Sequence, residues 1–284
     1  MLITSFLSAG RTDIGRTRTA NQDQFLVADL NKSMTIHSTT LPVEAESEFY
    51  AGLRAQVLLV ADGISGQAGG SVASQIGVGT TARYLLNTMP WFFSLDHDHD
   101  DDQEEELLAA VADCERAVEK EAAAHPELAG MGTTLTMAYL IWPRMYLVHV
   151  GDSRCYLLRD GELTQLTHDH TAAQHLVDEG TFTAEQAARS PLSHILVSSI
   201  GNPSSFRPDV SRTGLEAGDR ILLCTDGLTS LVDDERIAEV VAGAESPEEA
   251  IDDLIDEANE AGGYDNVTVV VSFCYPPIDR STTS

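Results

Sequence analysis

The feature that most constrains how this sequence can fold is a repeated one: short, strongly apolar runs that each meet an aspartate at one end. "VLLVADG" ends in Asp62, "LVHVGDSR" in Asp152 and "ILLCTDG" in Asp226, while "YDNVTVVV" starts from Asp265. Aliphatic runs of this length, bounded by glycine, read as strands buried on both faces. A single aspartate at such an end serves as a turn or helix cap. Four of them together are harder to explain as separate turns, because clustered carboxylates repel one another unless cations neutralise them. The pattern points to a site for several hard divalent ions, Mg or Mn, in which Asp62 is an oxygen ligand and Gly63 lets a backbone carbonyl approach.

Two other chemistries fit the strand, tight glycine turn and helix-like stretch from Val57 to Ser74. A phosphate-cradling loop needs a lysine after its last glycine, but Ser71 follows Gly70, and the chain holds only Lys32 and Lys120. A nucleophile elbow would use Ser65, yet "GISGQ" has Gln67 where the second glycine belongs. The acidic stretch "DHDHDDDQEEE", Asp96 to Glu106, fails as a calcium loop, having Asp101 at the sixth position and Leu107 at the twelfth. It reads as a solvated loop.

A formal net charge of −28 argues against nucleic acid and anionic membrane as partners, since both need clustered Lys or Arg. The four cysteines, Cys114, Cys155, Cys224 and Cys274, are far apart and mostly within apolar runs, which disfavours zinc and disulfides. No apolar run approaches the length needed to span a bilayer, and "MLITSFLSAGR" lacks the pattern of a signal peptide, so the expected location is cytoplasmic.

Strand-like runs dominate the order of elements. "QFLVADL" precedes a long hairpin or loop that leads into the Val57 run, and "TTLTMAYLIW", "RMYLVHVG" and "CYLLR" follow, the last joined to "ELTQLT" by an Asp160-Gly161 hairpin turn. Helical spacing covers Ser71 to Thr88, Glu104 to His125, a stretch from about Ile237, and Pro247 to Ala261. Residues 171–200 look helical and polar with a break at Pro191. Strands joined by tight turns, with helices arriving in pairs, favour an α+β arrangement of antiparallel sheets covered by helices. No repeat or linker divides the chain, which gives one domain over 1–275 and a flexible tail over 276–284.

"RTRTANQDQF", "VADGISGQAGG", "GMGTTL", "VGDSRCYLLRDGELTQLTHDHT", "LLCTDGL" and "GGYDNVTVVV", in that order, resemble the motifs of the metal-dependent type 2C protein serine/threonine phosphatases in their bacterial form. The resemblance runs from Gly15 to Ser272. It implies a four-layer α-β-β-α sandwich of two antiparallel sheets flanked by helices, with metals in a cleft at one end. It further implies that Asp62 bridges two ions, that the Gly63 carbonyl binds one, and that Asp226 and Asp265 complete the other. Asp152 would hold a third ion together with Asp226, and Asp23 would act through water. Arg18 matches the arginine that grips the substrate phosphate, for which a planar, two-pronged donor is suited.

The implied reaction is hydrolysis of phosphoserine and phosphothreonine by direct attack of a hydroxide activated between two Mn or Mg ions. The implied partners are phosphorylated proteins, the products of a Ser/Thr kinase, acted on by a monomer. Departures from the family pattern leave open an alternative, a catalytically weak regulator of the same fold that binds phosphoproteins. Many members have "DGMGGH" where this chain has "DGISGQ", and eukaryotic relatives carry a proton-donating histidine at the Ile64 position. Isoleucine cannot donate, so protonation of the leaving group falls to water on a metal, at the Asp152 site. The segment Thr171 to Asn202 matches the family's variable flap and has Ser198 and Ser199 where relatives often show basic or small residues.

Overall fold

Alternate side chains along the central strands face two different layers, and this decides the architecture. The computed structural model describes residues 2–3, 6–35, 48–64, 69–87, 100–275 and 278–279. Its strands are β1 (Leu2–Ile3), β2 (Phe6–Asp13), β3 (Gln24–Thr35), β4 (Glu48–Ala61), β5 (Gly63–Ile64), β6 (Gly132–Thr133), β7 (Leu135–Ile141), β8 (Arg144–Val150), β9 (Arg154–Arg159), β10 (Glu162–Gln165), β11 (Asp209–Gly214), β12 (Arg220–Cys224), β13 (Val267–Cys274) and β14 (Ile278–Asp279). The helices are α1 (Gly69–Asn87), α2 (Asp100–Ala124), α3 (Ala172–Asp178), α4 (Ala184–Ala188), α5 (Asp226–Thr229), α6 (Asp234–Gly243) and α7 (Pro247–Glu260).

Two five-stranded sheets result, ordered β10-β9-β12-β13-β2 and β11-β8-β7-β4-β3. Every pairing within them is antiparallel. In β4, Leu58 and Val60 point between the sheets, where they meet Ala138, Cys155, Leu223 and Val270. Val57, Leu59 and Ala61 point the other way, against Ala73 and Leu85 of α1 and Leu107 and Val111 of α2. On the far side, Leu222, Val269 and Val271 pack under Ile237, Val241, Leu254 and Ile255 of α6 and α7. Strands clothed on both faces explain the near-continuous apolar runs of the sequence. This is the α+β, four-layer sandwich that the motifs implied.

The Asp160-Gly161 turn joins β9 to β10, with positive φ at both residues (52° and 83°), as a tight hairpin between right-twisted strands requires. All four cysteines are free and buried. No helix among the described residues is long and apolar enough to cross a membrane.

The acidic stretch departs from its reading as a solvated loop. Residues 96–99 lie outside the described residues, but from Asp100 onward the chain is helical, and α2 starts ahead of the Glu104 expected. The reason is local: Gln103 and Leu107 are already buried on one face, while Tyr84 of α1 donates its hydroxyl proton to Glu106 (2.8 Å). Glutamate is also a good helix former. Within the two five-stranded sheets, β2 and β11, both at sheet edges, had no counterpart in the sequence reading, and neither did the short strands β1, β5 and β14. Within 276–284, Ile278 and Asp279 pair with Ile3 and Leu2, and 276–277 and 280–284 lie outside the described residues.

Candidate active site

At one end of the sandwich the strand-end aspartates converge. Arg18, Asp62, Gly63, Asp152, Asp226 and Asp265, six of the seven residues singled out from sequence, line one cleft of about 910 Å³. The backbone of Asp62 is pinned just beyond β4. Its N–H donates to Thr134 Oγ1 (2.9 Å), and its carbonyl accepts from the Thr134 N–H (2.9 Å) and the Thr133 hydroxyl (2.8 Å). Gly63 packs so closely on the start of α1 that a Cβ there would lie 2.3 Å from the Gly70 carbonyl oxygen, so no side chain fits. Ser65 and Gln67, the residues of the rival hydrolase reading, lie outside the described residues.

Asp226 opens α5 directly after β12, and Asp265 precedes β13 on the neighbouring strand. Asp265 Oδ2 accepts from Arg18 Nη2 (2.6 Å), and its Oδ1 accepts from the Asn266 N–H (2.8 Å). Asp152 follows Gly151, whose φ of 115° carries the chain out of β8. The seventh residue, Asp23, is buried; its Oδ2 accepts from the hydroxyls of Thr225 (2.8 Å) and Thr268 (2.6 Å).

Sequence reasoning missed the residues that hold these groups in place. Asn266 donates to the carbonyls of Ile14 (3.0 Å) and Ala20 (3.1 Å) and accepts from the Gln22 N–H (2.9 Å), fixing the loop that carries Arg18. His194 reaches over from residues 171–202, its Nδ1 standing 3.8 Å from Asp226 Oδ2, and Tyr264 stands at the mouth, 65% exposed. Their only sequence signals were proximity to a motif or a place in the variable segment. Ser198 is buried and accepts from the Arg207 N–H (2.9 Å), which makes it a strut for the segment's return.

The cleft is short of positive charge. Burial pushes the Asp23 carboxyl up to about 7 against the pull of the Thr268 and Thr225 hydroxyls. Asp152 is pushed up to about 8, first by burial and then by the charges of Asp226 and Asp169. Asp62 rises well above the usual carboxylate range, from loss of water and then from the charges of Asp23, Asp226, Asp152 and Asp265. His194 moves upward because Asp226 faces it. Asp23 Oδ1 and Asp226 Oδ1 are buried without a hydrogen-bond partner. Among the described residues, no three His, Cys, Asp or Glu side chains close on one point as a ready-made cation site. Crowded carboxylates with unpartnered oxygens nonetheless suit hard divalent cations, whose charge would offset the repulsion that keeps them apart.

Such a fold, with carboxylates gathered at the strand ends of paired antiparallel sheets, defines a class: the chain belongs to the protein phosphatase 2C family, whose model matches residues 48–256. Among curated relatives, it is 42% identical to the serine/threonine protein phosphatase PstP of Mycobacterium tuberculosis over 231 residues, covering 80% of this chain and 41% of that protein. It is 30% identical to the protein phosphatase PhpP of Streptococcus pneumoniae over 261 residues, covering 92% and 94%. The solved catalytic domain of PstP in complex with two manganese ions superposes with a TM-score of 0.75 at 34% identity, over 96% of this chain and all of that one. The chain thus spans less than half the length of full-length M. tuberculosis PstP.

Proposed function

We propose that this chain is a metal-dependent protein phosphatase that hydrolyses phosphoserine and phosphothreonine, with Mn or Mg as its resident ions. The observation that carries the reading is the convergence of Asp62, Asp152, Asp226 and Asp265, from four separate strand ends, on the cleft that also holds Arg18. The family membership and the manganese ions of the PstP catalytic domain support it. Asp62, the Gly63 carbonyl, Asp226 and Asp265 would hold two core ions, and Asp152 would share a third with Asp226. When bound, such ions supply Lewis-acid stabilisation of the phosphoryl oxygens and of negative charge developing around phosphorus.

The rest is done by the chain itself. Arg18 now donates through Nη2 to one oxygen of Asp265; an arriving phosphate can offer two oxygens to the guanidinium and competes for it. Asp23, held by the Thr225 and Thr268 hydroxyls, would act on the cleft through water. Ile64 lines the wall and has no proton to give, so it shapes the entrance without joining the proton transfers. The substrates are phosphorylated proteins marked by a Ser/Thr kinase.

Hydrolysis of an aryl phosphate with and without Mn tests this reading, with an aryl ester alongside to detect a serine hydrolase. EDTA, or alanine at Asp62, Asp226 or Asp265, should lower phosphatase turnover by about a hundredfold or more. Full turnover in EDTA would refute it.

A further inference from the structure

Beneath the segment that carries α3 and α4 lies a second cavity, of about 450 Å³, beside the first. Asp152, Asp226 and His194 line both spaces, so the two meet at those side chains, with His194 on the boundary. Away from that boundary the lining changes character. Ala173, Ala184, Ala187 and Ala188 present methyl groups on one side, Gln165, Thr171, Gln174 and the Arg154–Asp169 pair line much of the rest, and Asp234, which does not line the first cleft, stands 57% exposed.

The charges at this far end do not cancel. Arg154 is committed to Asp169, with Nε and Nη2 donating to its carboxylate at 3.0 and 2.7 Å, and Nη1 donating to the Tyr156 hydroxyl at 3.0 Å. Tyr156 in turn donates to Asp234 Oδ1 (2.9 Å), while Arg154 Nη1 stands off at 4.0 Å. One guanidinium is therefore set against two carboxylates, and the closer pairing belongs to Asp169. With ions held by Asp152 and Asp226, Asp234 would face only the Tyr156 hydroxyl and, at 4.0 Å, a guanidinium already committed to Asp169.

We propose that this cavity is a subsite for a lysine or arginine side chain of the substrate, close in sequence to the phosphorylated residue. The proposal rests on the phosphatase reading above. A basic side chain matches the space along its length: its methylene stem passes the alanine wall, and its charged head meets Asp234. The cavity joins the catalytic cleft, so one polypeptide can occupy both. An acidic side chain there would meet like charge, which is how such a pocket rejects the wrong neighbour. A chain of net charge −28 also draws basic segments toward it before contact.

Phosphothreonine peptides in which Arg, norleucine or Glu is stepped through each flanking position, assayed with Mn, test the proposal. At one position kcat/KM should be about fivefold or more higher for Arg than for Glu, the size expected of a partly exposed ion pair. Asp234→Asn keeps an acceptor for Tyr156 and should abolish that preference, and Ala188→Trp should raise KM for the Arg peptide by filling the space. Both variants should hydrolyse an aryl phosphate like the wild type. An active enzyme with no preference at any position, or a preference that survives both variants, overturns the subsite alone. A wild-type chain inert on aryl phosphate and peptides alike overturns the phosphatase reading and the subsite with it.

Discussion

Replacing Asp152 by asparagine should stabilise the metal-free protein while removing most of its turnover. Asp152 is 9% exposed and faces Asp226 and Asp169; burial, then those charges, lifts its carboxyl from an ordinary 3.8 to about 8. A carboxyl raised above its unfolded value binds its proton more tightly when folded. It therefore costs nothing below pH 3.8, costs more as the pH climbs from 3.8 to about 8, and costs its full amount beyond. Each pH unit in that window is worth about 1.4 kcal/mol, a ceiling of about 4 kcal/mol at roughly pH 7. Asp23 and Asp62 share the same repulsion, so relief at one position should come to about 2 kcal/mol, a rise in melting temperature of roughly 5 °C. Thermal unfolding in EDTA at about pH 8 should show that gain, and at about pH 5 less than half of it. With Mn present the wild type should recover the difference, and the variant should lose kcat far more than KM. A gain of equal size at both pH values, or none at the higher one, would refute the reasoning.

Arg18→Ala should raise KM for phosphate monoesters by about tenfold with a smaller change in kcat, because the guanidinium meets oxygens present in the ground state and the transition state alike; unchanged steady-state constants would place Arg18 outside the substrate site. Gly151→Ala should destabilise the fold by about 2–3 kcal/mol in urea unfolding. Its φ is +115°, and a Cβ would lie 2.5 Å from Thr134 Cγ2. A loss below about 0.5 kcal/mol would show that β8 can end differently.

What could be read from sequence follows from how local the cause is. The Val57, Leu147 and Val269 runs were legible because strands covered on both faces must be apolar throughout, and the aspartates stood out because each interrupts such a run. The Asp160-Gly161 hairpin was legible because positive φ at two adjacent residues needs that chemistry. The start of α2 was hidden: among its described side chains the first buried one is Gln103, so no apolar period announces the helix amid the carboxylates. β2 was hidden as well, since an edge strand with half-buried Ser8, Gly10 and Thr12 carries little hydrophobic alternation. Within the site, the hydroxyls on Asp23 come from Thr225 and Thr268, 202 and 245 residues away, a pairing that no spacing rule reaches.

The pairing of β2 with β13, Phe6 against Cys274 through Asp13 against Val267, sets the order in which a growing chain can become a working one. A polypeptide leaving the ribosome has Arg18, Asp62 and Asp152 in hand early, yet the loop bearing Arg18 is fastened by Asn266. Until the residues around 265 have emerged, β2 lacks its neighbour, Arg18 lacks its anchor and the ring of carboxylates lacks Asp265. The cleft is therefore complete only once β2 and β13 have paired, however early its other aspartates are made.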